Sequence, residues 1–245
     1  TPPVIGSRMY VSTEFVLDNG DADPNHHARL VAIEVDPSRG RDGCLRVAWA
    51  FEFGARSGAS PAVLDHADGP VIVFDGDRKT PSSDEQPRFF ALRDRGDTYE
   101  LVWEHVLTAS AQASAAIDPR GGLWVFSAGG VTLSRLDEAT GEEVQTIDID
   151  ALLGVSGRHI PASAVSLAGD GTAAPVLMVA AVSVVPRSAY VAAVDLGSET
   201  LVWKLLVSDA LTAWPAGQFP LVRDAAGESV VVFSTLEGGV WGAGP

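Results

Sequence analysis

Short runs in which apolar and polar positions alternate, broken by Gly, Asp and Asn, fill the chain from end to end. That is the pattern of strands joined by tight turns, and it predicts an all-β protein. Four stretches repeat one design, in which an apolar strand ends in Asp, a polar turn follows, and a second strand carries an indole or an amide at a matching place. They are 29–36 (RLVAIEVD) with 45–49 (LRVAW), 89–94 (FFALRD) with 101–103 (LVW), 131–137 (VTLSRLD) with 138–145 (EATGEEVQ), and 190–195 (YVAAVD) with 201–203 (LVW). An Asp at the strand end can turn its carboxylate back onto the backbone N–H groups of the turn, and Thr140-Gly141 supplies a tight reversal.

The repeat length fixes the architecture. Trp49, Trp103, Gln145 and Trp203 are 54, 42 and 58 positions apart, near the roughly 40–50 residues of a propeller blade. The two long intervals carry insertions, at 79–87 and 153–160. Two further strands follow each of these stretches: 60–65 before 70–74, 114–118 before 123–126, 163–167 before 176–179, and 220–224 before 230–233. Uninterrupted apolar runs such as 71–74 (VIVF) and 123–126 (LWVF) predict strands covered on both faces. The expectation is a β-propeller of four-stranded antiparallel blades, one domain over residues 1–245, with about five blades at 2–53, 59–107, 112–149, 162–207 and 218–242. The last of these has room for only two or three strands. The best helical segment, 149–154, is under two turns long.

Residues 136–141 (LDEATG) and 194–203 (VDLGSETLVW) resemble the repeat of PQQ-like, quinoprotein-type β-propellers, Ala-Leu-Asp-x-x-Thr-Gly-x-x-x-Trp. In the first, Gln145 stands where the repeat has Trp; the second keeps Asp and Trp and lacks Thr-Gly. The resemblance covers nearly the whole chain. It implies that Trp49, Trp103 and Trp203 dock each blade on the next. It also implies a seven- or eight-bladed ring, of which five blades would be an incomplete part with the remainder absent or on another chain; a five-bladed ring is the alternative. Residues 65–69 (DHADG) and 167–171 (LAGDG) are similar to the calcium-loop repeats called FG-GAP, with a thinner carboxylate ladder.

Composition narrows the function classes. The 245 residues carry a net charge of −15, with two lysines, Lys79 and Lys204. Such a chain repels phosphate backbones and anionic lipid, so nucleic acid is not an expected partner. No apolar run approaches the roughly 20 residues that span a bilayer, so membrane insertion is not expected either. The opening Thr1-Pro2-Pro3 lacks an initiator Met and predicts a processed, trimmed or partial chain. With a surface suited to a saline or secreted setting, the expected location is extracytoplasmic, periplasmic or secreted.

Candidate chemistry is thin. The densest carboxylate group, Asp18, Asp21 and Asp23 in 18–23 (DNGDAD), offers oxygen ligands of the kind Ca²⁺ takes. Its spacing departs from the calcium-loop pattern and no bidentate Glu follows, so a solvated hairpin loop is the competing reading. His26 and His27 are neighbours on an extended chain and face opposite ways. His66, His105 and His159 fall one to a repeat, and Cys44 is the single cysteine, read as an inert thiol. The family resemblance invites a PQQ- and calcium-dependent dehydrogenase, which would need calcium ligands from Glu, Asn and Asp, an Arg by the quinone, and often a pair of adjacent cysteines. One cysteine and no assignable ligand set leave neither PQQ nor calcium expected. The expected function is a non-catalytic extracytoplasmic binding or scaffolding propeller, holding a protein partner or a missing propeller segment on another chain. A quinoprotein-type oxidoreductase, or another propeller enzyme with a loop-assembled site, is the alternative.

Overall fold

The computed structural model describes residues 4–13, 28–40, 43–53, 60–78, 86–108, 114–127, 132–154, 159–161, 166–168, 176–184, 187–208, 215–216, 221–223, 229–235 and 240–243. Among them the strands form five antiparallel sheets. The first runs β1 (Val4–Ile5), β2 (Arg8–Thr13), β3 (Ala28–Val35), β4 (Leu45–Phe53) in that spatial order. The second runs β5 (Ala62–Leu64), β6 (Val71–Arg78), β7 (Gln86–Asp94), β8 (Tyr99–Val106), and the third β9 (Ala116–Ile117), β10 (Leu123–Ser127), β11 (Thr132–Leu136), β12 (Glu143–Asp148). Each is a simple meander, as the turn signals predict.

The fourth sheet holds β13 (His159–Pro161), β14 (Ser166–Ala168), β15 (Val176–Val184), β16 (Arg187–Asp195) and β17 (Thr200–Ser208). Because β16 occupies one edge of β15 along its whole length, β13 and β14 share the other edge and are two pieces of one interrupted strand. The sheet is therefore four strands wide. The fifth holds β18 (Pro215–Ala216), β19 (Leu221–Arg223), β20 (Ser229–Thr235) and β21 (Val240–Ala243). Here Val231 pairs with both Leu221 and Ala243, and Ser234 with both Ala216 and Val240, so β18 and β19 share the edge of β20 opposite β21. This sheet is three strands wide, matching the room the sequence leaves. The one α-helix among the described residues, α1 (Ile149–Leu153), sits where the sequence places its best helical segment. Asp148 caps its start and Gly154, at φ 61°, closes its end. The chain divides into two compact units, Thr1–Ser114 with Ala139–Glu142 and Ala115–Glu138 with Glu143–Pro245.

The middle strands are sealed on both faces. Val71 to Phe74 of β6, Phe89 to Leu92 of β7 and Leu123 to Phe126 of β10 are buried without alternation, as their continuous apolar runs require. In the first unit Tyr10, Leu30, Trp49 and Phe53 of the first sheet pack with Ile72, Phe74, Phe90 and Leu92 of the second in one cluster. Phe51 joins it with its ring centroid 5.4 Å from Phe90 and 5.5 Å from Tyr99. Each such edge or offset ring pair adds about 0.5–1.5 kcal/mol beyond the area it buries.

One irregularity recurs in four sheets. Opposite Ala32, Ala91, Arg135 and Ala193 stand Trp49, Trp103, Gln145 and Trp203, and in each sheet the register slips by one residue beside that pair. The extra residues are Ala48, Val102, Val144 and Val202. A bulge of this kind rotates the side chain that follows it relative to the simple alternation of the strand. Three times an alanine faces the indole and leaves it room. In the third sheet both members differ, with arginine facing an amide.

Trp103 explains a glycine. Gly141 has φ 70°, and a Cβ built there would lie 2.6 Å from the Trp103 indole. Gly96 has a similar positive φ, 89°, with nothing within 4 Å. Gly141→Ala is therefore expected to cost about 2–4 kcal/mol in urea unfolding, from backbone strain plus overpacking. Gly96→Ala, strained but uncrowded, is expected to cost only about 1 kcal/mol.

Candidate functional site

Among the described residues of the first unit, a polar grouping converges on Asp94, the last residue of β7. Its carboxylate is buried and accepts from the Tyr10 hydroxyl (2.8 Å), the Trp49 indole N–H (3.1 Å) and the Gly96 backbone N–H (2.8 Å). The Arg8 guanidinium lies 3.6 Å away and itself donates to the Gly96 carbonyl. Burial, then the hydrogen bond to Asp94 and its charge, pushes the Tyr10 phenol well above the usual tyrosine range. Trp49 is enclosed between Tyr10 and Tyr99, with centroids at 6.1 and 5.4 Å. The bulge aims the indole, and the strand-end Asp of the next sheet receives it.

The turns use their aspartates as the sequence predicts. Asp36 accepts from the Ser38 N–H (3.0 Å), and Asp195 from Gly197 (2.7 Å) and Ser198 (2.9 Å). Hydrogen bonds from the Ser38 side chain and backbone lower the Asp36 carboxyl, and those from the Ser198 and Gly197 backbone lower Asp195.

In the second unit the third sheet builds a different node around Asp118, which is 1% exposed. It accepts from the Arg120 N–H (2.9 Å), the Arg120 guanidinium (2.8 Å) and the Trp124 indole (3.1 Å). Arg135, the residue that stands where the other sheets have alanine, brings its Nε to 3.6 Å from Asp118 and donates to the Gly121 carbonyl. Burial alone would raise the Asp118 carboxyl, but the hydrogen bonds from Arg120 and Trp124 and the Arg120 charge hold it below the usual carboxylate range. Beside it, Gln145 donates to Glu199 at 2.6 Å. Glu199, with φ 55°, sits four residues after Asp195, as Gly141 sits four after Asp137.

Of the residues singled out by sequence, Asp18, Asp21, Asp23, His26 and His27 lie outside the described residues, as do 79–85 and 169–171. His66 and His105 are half-buried in the second sheet and its turn, and His159 starts β13. Cys44, half-buried and free of any disulfide, precedes β4. Of the three tryptophans read as docking residues, Trp49 and Trp103 are buried, whereas Trp203 is only half-buried. Among the described residues no three His, Cys, Asp or Glu side chains stand close enough to hold a metal ion. A quinone needs an open aromatic face, and Trp49 and Trp103 have theirs against Tyr10, Tyr99 and Gly141. A cation needs free carboxylate lone pairs, and those of Asp94 and Asp118 are taken by N–H and O–H donors. These residues do not fit PQQ or its calcium. Sequence reasoning missed Tyr10 and Arg8, whose partners lie more than eighty positions away, and Arg135, whose partners lie in the turn between β9 and β10 of its own sheet.

Among solved structures, hydrazine synthase from Kuenenia stuttgartiensis matches 85% of this chain and 53% of its own, with a TM-score of 0.50 at 13% identity. BamB from Moraxella catarrhalis matches 98% of this chain and 62% of its own, with a TM-score of 0.48 at 13% identity. The fold is a β-propeller. A glucose dehydrogenase matches 89% of this chain at 8% identity with a TM-score of 0.39. The chain thus spans less than two thirds of the hydrazine synthase and BamB chains it matches. No family model and no curated protein matches it.

Removing Asp94 strands buried donors on two strands of the first sheet. Asp94→Ala is expected to cost about 3–5 kcal/mol in urea unfolding, against about 1–2 for Tyr10→Phe, which leaves the carboxylate its other donors. Asp118 has a folded-state pKa below its unfolded one, so its contribution is present above about pH 4 and is lost as pH falls through the lowered value. Asp118→Asn is expected to flatten the fall of urea midpoint with acid below about pH 4 and to leave the slope above about pH 5 unchanged.

Proposed function

We propose that the chain is a non-catalytic binding or scaffolding propeller of the PQQ-like repeat type, a single propeller domain acting outside the cytoplasm in a periplasm or secreted medium. It would hold a protein partner, or further propeller blades carried on another chain. One observation carries this reading: the strand-end aspartates and the polar side chains at the register slips are engaged in holding turns and sheets. Asp36, Asp94 and Asp195 close turns, Asp94 and Asp118 receive indoles, and Gln145 and Glu199 hold each other. Residues braced in this way serve shape rather than turnover. The outer strands supply the complementary surface, with Leu45, Val47, Leu101, Val144, Val202 and Leu206 exposed beside charged neighbours. Exposed apolar groups rimmed by charge are the raw material of protein contacts. No helix among the described residues is long and apolar enough to cross a membrane, and the net charge of −15 opposes anionic surfaces.

Calorimetry with pyrroloquinoline quinone and Ca²⁺ tests this against the oxidoreductase. The expected result is no saturable heat, an unchanged melting temperature, and no oxidation of glucose or ethanol with an artificial electron acceptor. Saturable quinone heat, or turnover that depends on added quinone, would replace the scaffold reading with the enzyme.

A further inference from the structure

The sheets are not joined alike. Between the first and second lies the buried aromatic cluster, with Trp49 at 5% exposure hydrogen-bonded to Asp94. Trp103 is equally enclosed, against Gly141. In the second unit, where the third sheet meets the fourth, the same register position carries Gln145, and the turn that faces it carries Glu199. The swap is matched on both sides: an indole goes with glycine, an amide with a carboxylate. A second polar contact stands nearby. The Lys204 ammonium on β17 lies 2.5 Å from the carbonyl of Leu153, the last residue of α1, and 5.4 Å over the Tyr190 ring. Under these contacts α1 buries Ile149 and Leu153. A third difference is that β17 keeps Trp203 half-exposed and leaves Val202 and Leu206 more than half-exposed.

We propose that the junction of the third and fourth sheets is a built-in opening point, a polar latch made of Gln145–Glu199 and Lys204–Leu153 that releases while the strands within each sheet stay paired. Water replaces an exposed hydrogen bond at little net cost, whereas it replaces a buried indole poorly. Local openings in native proteins range from near zero up to the global unfolding free energy, and a junction closed by one exposed and one part-buried polar contact belongs toward the low end. The latch is independent of the scaffold reading, because a propeller enzyme with this junction would open in the same way.

Thiol labelling of the full chain under native conditions tests it, in a Cys44→Ser background. Leu153→Cys reports on the latch and Leu92→Cys on the first junction, with global stability measured by urea unfolding for each variant. Labelling of Leu153→Cys is expected at least about tenfold faster than Leu92→Cys after correction for global stability. Adding Gln145→Trp with Glu199→Gly is expected to slow it about tenfold, and adding Lys204→Met to speed it severalfold. Equal corrected rates for the two thiols would overturn the proposal. So would a Leu153→Cys rate indifferent to the latch substitutions; if the double substitution fails to fold, Lys204→Met alone decides.

Discussion

A side chain on a β-strand can reach only the two faces that the pleat gives it. An indole needed at the junction with the next sheet must therefore be brought out of phase with its own strand. The one-residue slip beside Trp49, Trp103, Gln145 and Trp203 does this, and the rest of the arrangement depends on it. The alanines opposite the three indoles leave space. Asp94 then supplies the acceptor for Trp49, and Gly141 the flat backbone for Trp103. Each of these choices would be unfavourable alone: a broken ladder, a small residue in a core strand, a buried carboxylate, a left-handed turn. Together they remove one another's costs.

The buried carboxylates show the same mutual dependence. Asp94 and Asp118 would each lose much solvation in isolation, and both sit where several N–H and O–H donors converge. Their worth lies in direction as much as in strength. A carboxylate that accepts from Tyr10, Trp49 and Gly96 holds two strands of one sheet and the turn of another in a single mutual orientation.

Much of this was readable in the linear chain. Strand-end aspartates, recurring indoles and unbroken apolar runs specify four-stranded sheets, because period, turn chemistry and two-sided burial all agree there. The narrow fifth sheet follows from the short span left for it, whereas the split first strand of the fourth sheet was read as one strand at 163–167, and β13 (His159–Pro161) starts inside the segment read as an insertion. The Asp94 and Asp118 nodes were only half visible. Asp94 is marked by its turn, but Tyr10 and Arg8 reach it from more than eighty positions away, and nothing local distinguishes that tyrosine from any other on a strand. Gln145 was legible as an exception to the pattern. Its answering exception, Glu199, becomes meaningful only once the two turns are aligned in space. The acidic segment with Asp18, Asp21 and Asp23 lies outside the described residues.

The register slip has a further consequence for how such a chain can drift. The hairpin between Asp36 and Trp49 is longer than that between Asp195 and Trp203, yet both indoles face an alanine at the same slip. Loop length is thus free, while the distance from slip to indole acts as a fixed gauge. One inserted or deleted residue on the strand side would turn the ring to the wrong face, whereas the same change in the loop would leave it in place. Changes confined to the loops therefore leave the ring seated, and only the strand side holds the sequence to a fixed count.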